Sequence, residues 1–599
     1  MNQPVQRDGN LDFSGGMDTS RRPSLLFDSQ YSRACNLIIP RHSNRIRTRF
    51  GFHHQKLYGR DIDIHIYNSA KNIQGTGYYT IGRVAVQVKV IDGYVFEFRK
   101  YTEGSFRIKI LNKGDRNNPR RGKAWVTRIP NGAIINDGES LPIIIQDGVA
   151  RRSDPSNNEI GVGRMGIYVQ NRFFYVTDTK NFIRQSDFNN PFSIQNAIDI
   201  NIHGFLTPES YETITAIGVQ KASLNYIEGG VLSFSTSSDT YTVDVRGDAQ
   251  SWELQNTAVG KVQETMPGIG AVSAYSYESF NSNLWFRTAD FGLMNLKRSQ
   301  YQFVNDDDYS SQSLEAEYWF SRDSRVLLDK CNTKQFRDRL LTTVAPEINE
   351  HGFTFWNGII SMNPDPNYGD NKLPRRFESL MTGVRPWSLT SIQSYDNEFY
   401  IDSYDEDGVT RLYKIEEDSG YDLNHLGNKV EIESWIETRG YFHKEPLEIK
   451  KADRRYYSIY GIKRNINLKF YSRKEEEGPF IFYGEMDHKV KESPVQEKKN
   501  GDLIFNPVSL RPQSRKKINL PKEDDSNACS NPSVTEQNGY YIIQDRIEIK
   551  GECELGEFIR EATKIKANLN TQCNTEKEEK TFVFEEKKDY TYSISSNLK

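Results

Sequence analysis

The sequence predicts an all-β protein in which a β-propeller follows an extended N-terminal arm and precedes a β-sandwich-like domain. Three observations carry that expectation. Aromatic residues are plentiful, with 33 Tyr and 32 Phe in 599 residues, and together with recurring Thr, Ile and Val they suit pleated, half-buried surfaces. Short alternating runs recur along the chain, separated by Asp-Gly, Gln-Asn or Ser-Asp steps. The first sixty residues carry neither a helical nor a strand period. The expected boundaries are an arm over 1–60, a propeller over 61–434 and a β-rich domain over 435–599.

The arm contains Asp12-Phe13-Ser14-Gly15-Gly16-Met17-Asp18, Ser24-Leu25-Leu26 and Tyr31-Ser32-Arg33-Ala34-Cys35-Asn36-Leu37-Ile38-Ile39-Pro40. It closes on Arg45-Ile46-Arg47-Thr48-Arg49-Phe50-Gly51-Phe52. Short apolar anchors around a Gly-Gly swivel cannot bury a core of their own. Order is expected from laying them on neighbouring protein. Charge points the same way. Residues 1–152 hold 25 Lys and Arg against 13 Asp and Glu, so they carry +12, and the remainder carries −15 to give the formal −3. Aromatics are not interleaved with the arginines, so sequence-specific reading of nucleic acid is not expected. Contact with an acidic neighbour, or with DNA phosphates in passing, is.

The propeller is expected as a train of hairpins. Val84-Ala85-Val86-Gln87-Val88-Lys89-Val90 alternates, turns at Asp92-Gly93 and resumes as Tyr94-Val95-Phe96-Glu97-Phe98, because both central residues of such a turn must tolerate positive φ. Phe106–Ile110 adds a strand. Further pairs are 166–169 with 172–176 across Gln170-Asn171, 231–235 with 240–245, 282–286 with 292–296, and 397–402 with 409–415 across Asp407-Gly408. Each buries little alone and must pack against others. One helix is expected around Asn332–Val344, with Phe336, Leu340 and Leu341 on one face and its end before Pro346. Beyond residue 430, strands are expected at 430–436 and 466–471, a buried strand at Phe480–Tyr483, a strand pair from 540–543 and 546–550, and a last hairpin from 581–584 and 590–594.

No catalytic, cofactor or metal site is expected. Sialidase-type boxes are absent, and no Ser/His/Asp set has a recognisable local context. Asp306-Asp307-Asp308 lacks the alternating spacing of a cation loop, and Asp405-Glu406-Asp407-Gly408 reads as a hairpin tip. His53-His54 and the other histidines lack ligand spacing. Gly161-Val162-Gly163-Arg164-Met165-Gly166 has the letters of a phosphate cradle, but a strand follows where a helix is needed. Trp252, Trp285, Trp319, Trp356 and Trp387 fall along the blades, where core packing is a commoner use than a sugar platform. The five cysteines are widely spaced and fit reduced thiols, with pairing among Cys529, Cys553 and Cys573 left open. No run approaches the length of a membrane span, and no charged-then-apolar leader opens the chain.

The order of Gly15-Gly16, Asn36-Leu37 and Arg49-Phe50-Gly51 resembles the opening of the tail hub and nozzle proteins of short-tailed bacteriophages. The resemblance continues through Arg172–Asp178 with Ser186–Phe192, then Ile214–Ile217 with Leu224–Glu228, Gly230–Phe234 and Tyr241–Val243. It includes Gly268-Ile269-Gly270-Ala271 with Leu284-Trp285-Phe286, and Lys450-Lys451-Ala452-Asp453 before a strand domain. It spans roughly 10–480 by pattern order, and nothing beyond about 490 matches. Arg49-Phe50-Gly51 stands where many relatives have Arg-Pro-Gly. The resemblance implies a structural virion protein without chemistry. It would form a homo-oligomeric ring, commonly a hexamer, below the portal and adaptor, with distal tail or fibre proteins as further partners. The lumen would pass genomic DNA at ejection, and assembly would occur in the bacterial host cytoplasm. Phe13, Arg33, Arg41, Arg45, Arg47 and Arg49 are the expected assembly interface. A host-surface glycan- or receptor-binding propeller adhesin is the alternative, and a propeller hydrolase stands well behind both.

Overall fold

Seven groups of three or four consecutive antiparallel strands succeed one another along the chain, and the leading strand of each group packs against the leading strands of its two neighbours. The computed structural model describes residues 5–40, 43, 45–120, 122–177, 183–195, 213–220, 231–245, 263–280, 283–290, 292–297, 317–363, 376–393, 397–417, 419–443, 450–460, 465–474, 478–488 and 540–564. Among these, the inner strands are Ile73–Ile81, Trp125–Ile129, Gly163–Val169, Ala216–Gln220, Glu278–Phe280, Thr333–Phe336 and Pro386–Ile392. The last of them packs back against the first. The ring is closed, and the protein is an all-β chain built on a seven-bladed β-propeller.

The hairpins arise where turn chemistry allows. Asp92 and Gly93 sit at φ 48° and 78°, and Gln170 and Asn171 at 50° and 57°, the left-handed geometry of a two-residue hairpin turn. In the third blade Gly163 and Gly166 lie beneath cross-strand rings. A Cβ at Gly163 would stand 2.5 Å from Tyr175 and one at Gly166 2.5 Å from Phe173, so these glycines make room for aromatics. A middle blade is covered on both faces, which erases simple alternation. Ile134 and Ile144 of blade two meet Phe173 and Tyr175 of blade three, whereas Ala133, Ile135, Ile143 and Ile145 meet Val86, Val88 and Val90 of blade one.

The seam between blades seven and one is fixed from both chain directions. Gly51–His54 enters blade seven as an antiparallel strand beside Thr410–Glu416, so an N-terminal strand completes the last blade. Inside the seam, Lys89 of blade one pairs with Asp402 of blade seven, and neither side chain has any exposure. Asp402 also accepts bonds from Tyr67 Oη at 2.7 Å and Ser388 Oγ at 2.9 Å.

The expected free arm is a correction. Its pieces are strands of this chain's own sheets. Gln6–Asn10 pairs with Glu554–Lys564, and Gly16–Met17 with Gln30–Tyr31 and with Phe377 of blade six. Arg33–Cys35 lies between blade six's outer strand Arg376–Met381 and Glu433–Tyr441. The anchors do lie on protein, but on protein from the same chain. One sheet therefore runs from blade six through Arg33–Cys35 into Glu433–Tyr441, Ile543–Lys550, Ile466–Lys474 and Ile481–His488. A second sheet joins Gln6–Asn10, Glu554–Lys564, Lys450–Tyr460, Ile46–Thr48 and Leu37–Ile38. The two share a core containing Phe13, Tyr31, Leu37, Ile436, Leu468, Ile547 and Phe558, so residues 435–564 are not a unit independent of the first fifty.

Three local expectations also change. Residues 332–344 form a hairpin, Thr333–Phe336 with Arg339–Ile348, turning at Arg337 with φ 52°. Leu340 and Leu341 point into different cores, so the apparent helical face was two buried strand faces read together. Tyr540–Lys550 is not a strand pair but an isolated bridge at Tyr540 followed by one strand, Ile543–Lys550. The polar Gln544 and Asp545 between the two expected strands are buried within it, with Asp545 held by Arg560 at 2.9 Å. Ile481 and Phe482 form an edge strand and are 54% and 52% exposed, not buried. The hairpin expected at 581–594, the Asp306–Asp308 cluster and Trp252 lie outside the described residues.

Candidate functional site

The conformation of Asn36 organises the junction where the N-terminal strands cross between modules. Asn36 occupies the left-handed region at φ 56°, which Asn tolerates better than most residues. That turn aims its amide at three segments. Nδ2 donates to the Glu433 carbonyl at 2.8 Å and to Thr382 Oγ1 at 2.9 Å, while Oδ1 accepts from Thr382 N at 2.7 Å and Arg49 Nε at 2.9 Å. Arg49 uses its whole guanidinium. Nη1 donates to Asp422 Oδ1 at 2.8 Å and the Phe50 carbonyl at 2.7 Å; Nη2 donates to Asp422 Oδ2 at 2.7 Å and the Thr382 carbonyl at 2.8 Å. With Nε this accounts for five donors and five acceptors. A Cβ at Gly51 would sit 2.1 Å from the Tyr421 carbonyl, so only glycine lets this strand approach.

The expected assembly residues divide accordingly. Phe13 is 1% exposed, with its ring edge-on to Tyr31, and Arg49 is 2% exposed. Neither can meet a partner, because each is spent inside the fold; that expectation is corrected for both. Arg33 lies over the Tyr318 ring at 3.8 Å, and Arg45 over Tyr460 at 3.7 Å with Glu554 at 3.5 Å. Arg47 stacks on Phe50 and borders a 550 Å³ cleft shared with Arg337, Arg339, Asp338 and Glu417. These three are half-buried and keep surface to offer. Arg41 lies outside the described residues. Asp422 and Thr382 carry the junction without any local sequence signal.

On the closing strand of blade seven, burial and then the neighbouring Arg411 push His54 down to about 4. Burial does the same to His443, also to about 4. Unfolded histidine takes up a proton near its ordinary 6.5, which the fold refuses, so stability should be lost as pH falls from about 6.5 towards 4. Urea midpoints measured at about pH 7 and about pH 5 should differ less in His54→Gln than in the parent.

The propeller axis holds a cavity of 380 Å³ walled by all seven inner strands. Its wall is apolar at Val126 and Ile217, and polar around Arg128, Glu278 and Gln393. Lys334 Nζ stands 3.6 Å from Glu278 and donates to the Tyr275 carbonyl at 3.1 Å. Gln393 Nε2 donates to Glu278 Oε1 at 3.0 Å and Gln335 Oε1 at 3.1 Å. No sequence motif marks this site, since its residues come from seven strands spread along the chain.

Among the described residues, no group of three His, Cys, Asp or Glu could hold a metal ion, and no helix is long and apolar enough to cross a membrane. Cys35, Cys331 and Cys553 are free and buried, and burial pushes Cys331 and Cys553 up to about 12. Of the tryptophans, Trp285, Trp356 and Trp387 are buried, and Trp319 packs partly buried against the core shared by the two sheets.

No family model matches the chain, and no curated protein does. Solved structures similar to it are propellers or contain them. One is the Cps50 (Swd1) β-propeller domain of Myceliophteria thermophila, at 10% identity and TM-score 0.34 over 57% of this chain and 96% of that one. Another is BamB from Moraxella catarrhalis, at 12% identity and TM-score 0.28 over 57% and 83%. A chain of a mitotic checkpoint complex aligns at 9% identity and TM-score 0.35 over 59% and 92%.

Proposed function

We propose that this chain is a structural subunit of a short-tailed bacteriophage tail, building a homo-oligomeric ring of the hub or nozzle below the portal and adaptor. One observation supports the reading over a generic propeller. The three short motifs that carry the family resemblance line up on a single strand of blade six and its end. Met17, beside Gly15-Gly16, pairs with Phe377; Asn36 N donates to the Leu380 carbonyl; Arg49 donates to the Thr382 carbonyl. A propeller needs no such seam to close. A subunit that must hold a second module at fixed orientation under load does, because linked domains otherwise move relative to one another.

In this reading the two sheets beyond blade seven are the sandwich-like module that lines or narrows the DNA channel. The propeller lies outside, and distal tail or fibre proteins are further partners. Phage DNA contributes only non-specific phosphate contacts. The virion tail is the final location, reached by assembly in the bacterial cytoplasm. Among the described residues the docking surface is Arg33, Arg45 and Arg47, freed of the buried Phe13 and Arg49. Changing all three to Glu should abolish incorporation into virions while the isolated chain still folds, since partly exposed pairs carry only about 0–1 kcal/mol each. Virions that assemble normally with the triple variant would remove the docking surface from the account.

A further inference from the structure

We propose that copies of this chain meet head to tail, with the acidic edge strand Ile481–His488 of one copy lying against the basic, tyrosine-bearing outer end of blade one of the next. The inference rests on the ring reading and names the contact between neighbours in that ring.

Blade one provides the first surface. It has five strands where blade two has four, because Lys56–Tyr58 adds beside Ser105–Ile110. Blade two therefore leaves its outer end uncovered. The core they share takes in Val86, Val88, Val90 and Val95, and stops short of residues 99–101 on the same strand as Val95. Arg99, Arg107 and Tyr58 stand there in cross-strand register, exposed along with Lys56, Tyr101 and Lys109. The Tyr58 and Tyr101 rings lie 5.7 Å apart. Arg107 sits 5.0 Å from the centre of the Tyr101 ring, and neither it nor Lys56 or Lys109 has a carboxylate within ion-pair distance among the described residues. Glu97, the carboxylate on this face, is buried and spent on Arg99 and Tyr79 Oη.

The second surface is the far edge of the C-terminal sheet. Ile481–His488 is bonded to Ile466–Lys474 on one side and to no strand on the other among the described residues. An open edge of this kind can accept a further strand. Ile481 and Phe482 keep about half of their surface exposed. Glu485 and Asp487 are exposed and both accept from Asn467 Nδ2, with no cation within ion-pair distance among the described residues. These acids keep two such edges from pairing with each other, since like charges opposite one another are destabilising. They suit a basic partner instead.

The two surfaces match. Carboxylates without cations on one side meet cations without carboxylates on the other, and Ile481 and Phe482 meet Tyr58 and Tyr101. Lys56–Tyr58 is likewise bonded to a strand on one side only among the described residues, so the two open edges can share backbone hydrogen bonds. Neither surface complements itself, which disfavours a two-fold dimer. A contact between unlike surfaces repeats from copy to copy and closes as a ring where the rotation allows.

Sedimentation velocity of the full chain, alone and with a portal–adaptor complex, tests the proposal with two charge-reversed variants. One is Arg107→Glu with Lys109→Glu; the other is Glu485→Lys with Asp487→Lys. All four residues are exposed, so both variants should melt as the parent does. Each alone should associate at least about a hundredfold more weakly than the parent, because like charges then face each other. An equimolar mixture should associate again, since each variant restores the charge match at the other's altered surface. A parent that assembles while either variant assembles as tightly, or a mixture that stays dissociated, would overturn this contact and leave the ring reading intact. Assembly unchanged in the Arg107 and Lys109 variant, with loss of binding to an oligothymidylate probe, would assign the blade-one face to a polyanion instead. A parent that is monomeric in both settings would overturn the ring reading and this contact together.

Discussion

Asp402→Ala is expected to cost about 3–5 kcal/mol of stability, the range for breaking a buried ion pair from one side. The reason is the seam between blades one and seven. Asp402 and Lys89 have no exposed side-chain surface, and the substitution would strand Lys89 as a buried charge. Tyr67 and Ser388 would lose their acceptor in the same step. Burial already pulls the Lys89 ammonium down, offset only in part by Asp402. Without that partner its folded pKa falls further below the ordinary lysine value, so the variant should regain stability as pH rises and Lys89 sheds its proton. Lys89→Met with Asp402→Leu should restore the part of the loss that comes from the stranded charge, because apolar replacement of a whole buried pair is often neutral, while Tyr67 and Ser388 stay without their acceptor. Urea unfolding of the parent and the two variants at two pH values reads all of this. A loss below about 1 kcal/mol for Asp402→Ala would mean that the seam is held by its apolar contacts alone.

Arg49→Lys is expected to be nearly as damaging, at about 2–4 kcal/mol, despite keeping the charge. A lysine ammonium has three donors and no planar fork, so it cannot serve Asn36 Oδ1, two carbonyls and both oxygens of Asp422 together. The consequence should be local as well as global. Arg49 and Asn36 tie blade six, blade seven and the Glu433–Tyr441 strand to one point, so the variant should expose the connection between propeller and C-terminal sheets to limited proteolysis. An unchanged digestion pattern and an unchanged urea midpoint would show that the continuous sheet alone holds the modules.

The hairpins were readable because their cause is local. Asp92-Gly93 and Gln170-Asn171 announce left-handed turns within two residues, and the flanking runs are the strands. The route of the N-terminal strands was not readable, because its partners are remote: Asn10 pairs with Phe558, and Arg49 with Asp422, 373 positions away. Nothing in Arg33, Arg45, Arg47 or Arg49 separates a half-exposed arginine from a fully buried one; the difference lies in Asn36, Thr382 and Asp422 converging in space. The segment 333–348 reads as a helix in sequence but is a hairpin for a related reason. Its strands bury both faces, so period-two alternation vanishes and Phe336, Leu340 and Leu341 imitate a helical stripe. The axial cavity was invisible on the same ground as the junction, since each wall residue is an ordinary strand position.

The measurement that bears most directly on the ring reading is the mass and shape of the purified chain, by light scattering with negative-stain microscopy, alone and with a portal–adaptor complex. The account predicts rings with an axial hole, formed spontaneously or on addition of the complex. A strict monomer that ignores the portal–adaptor complex would contradict it.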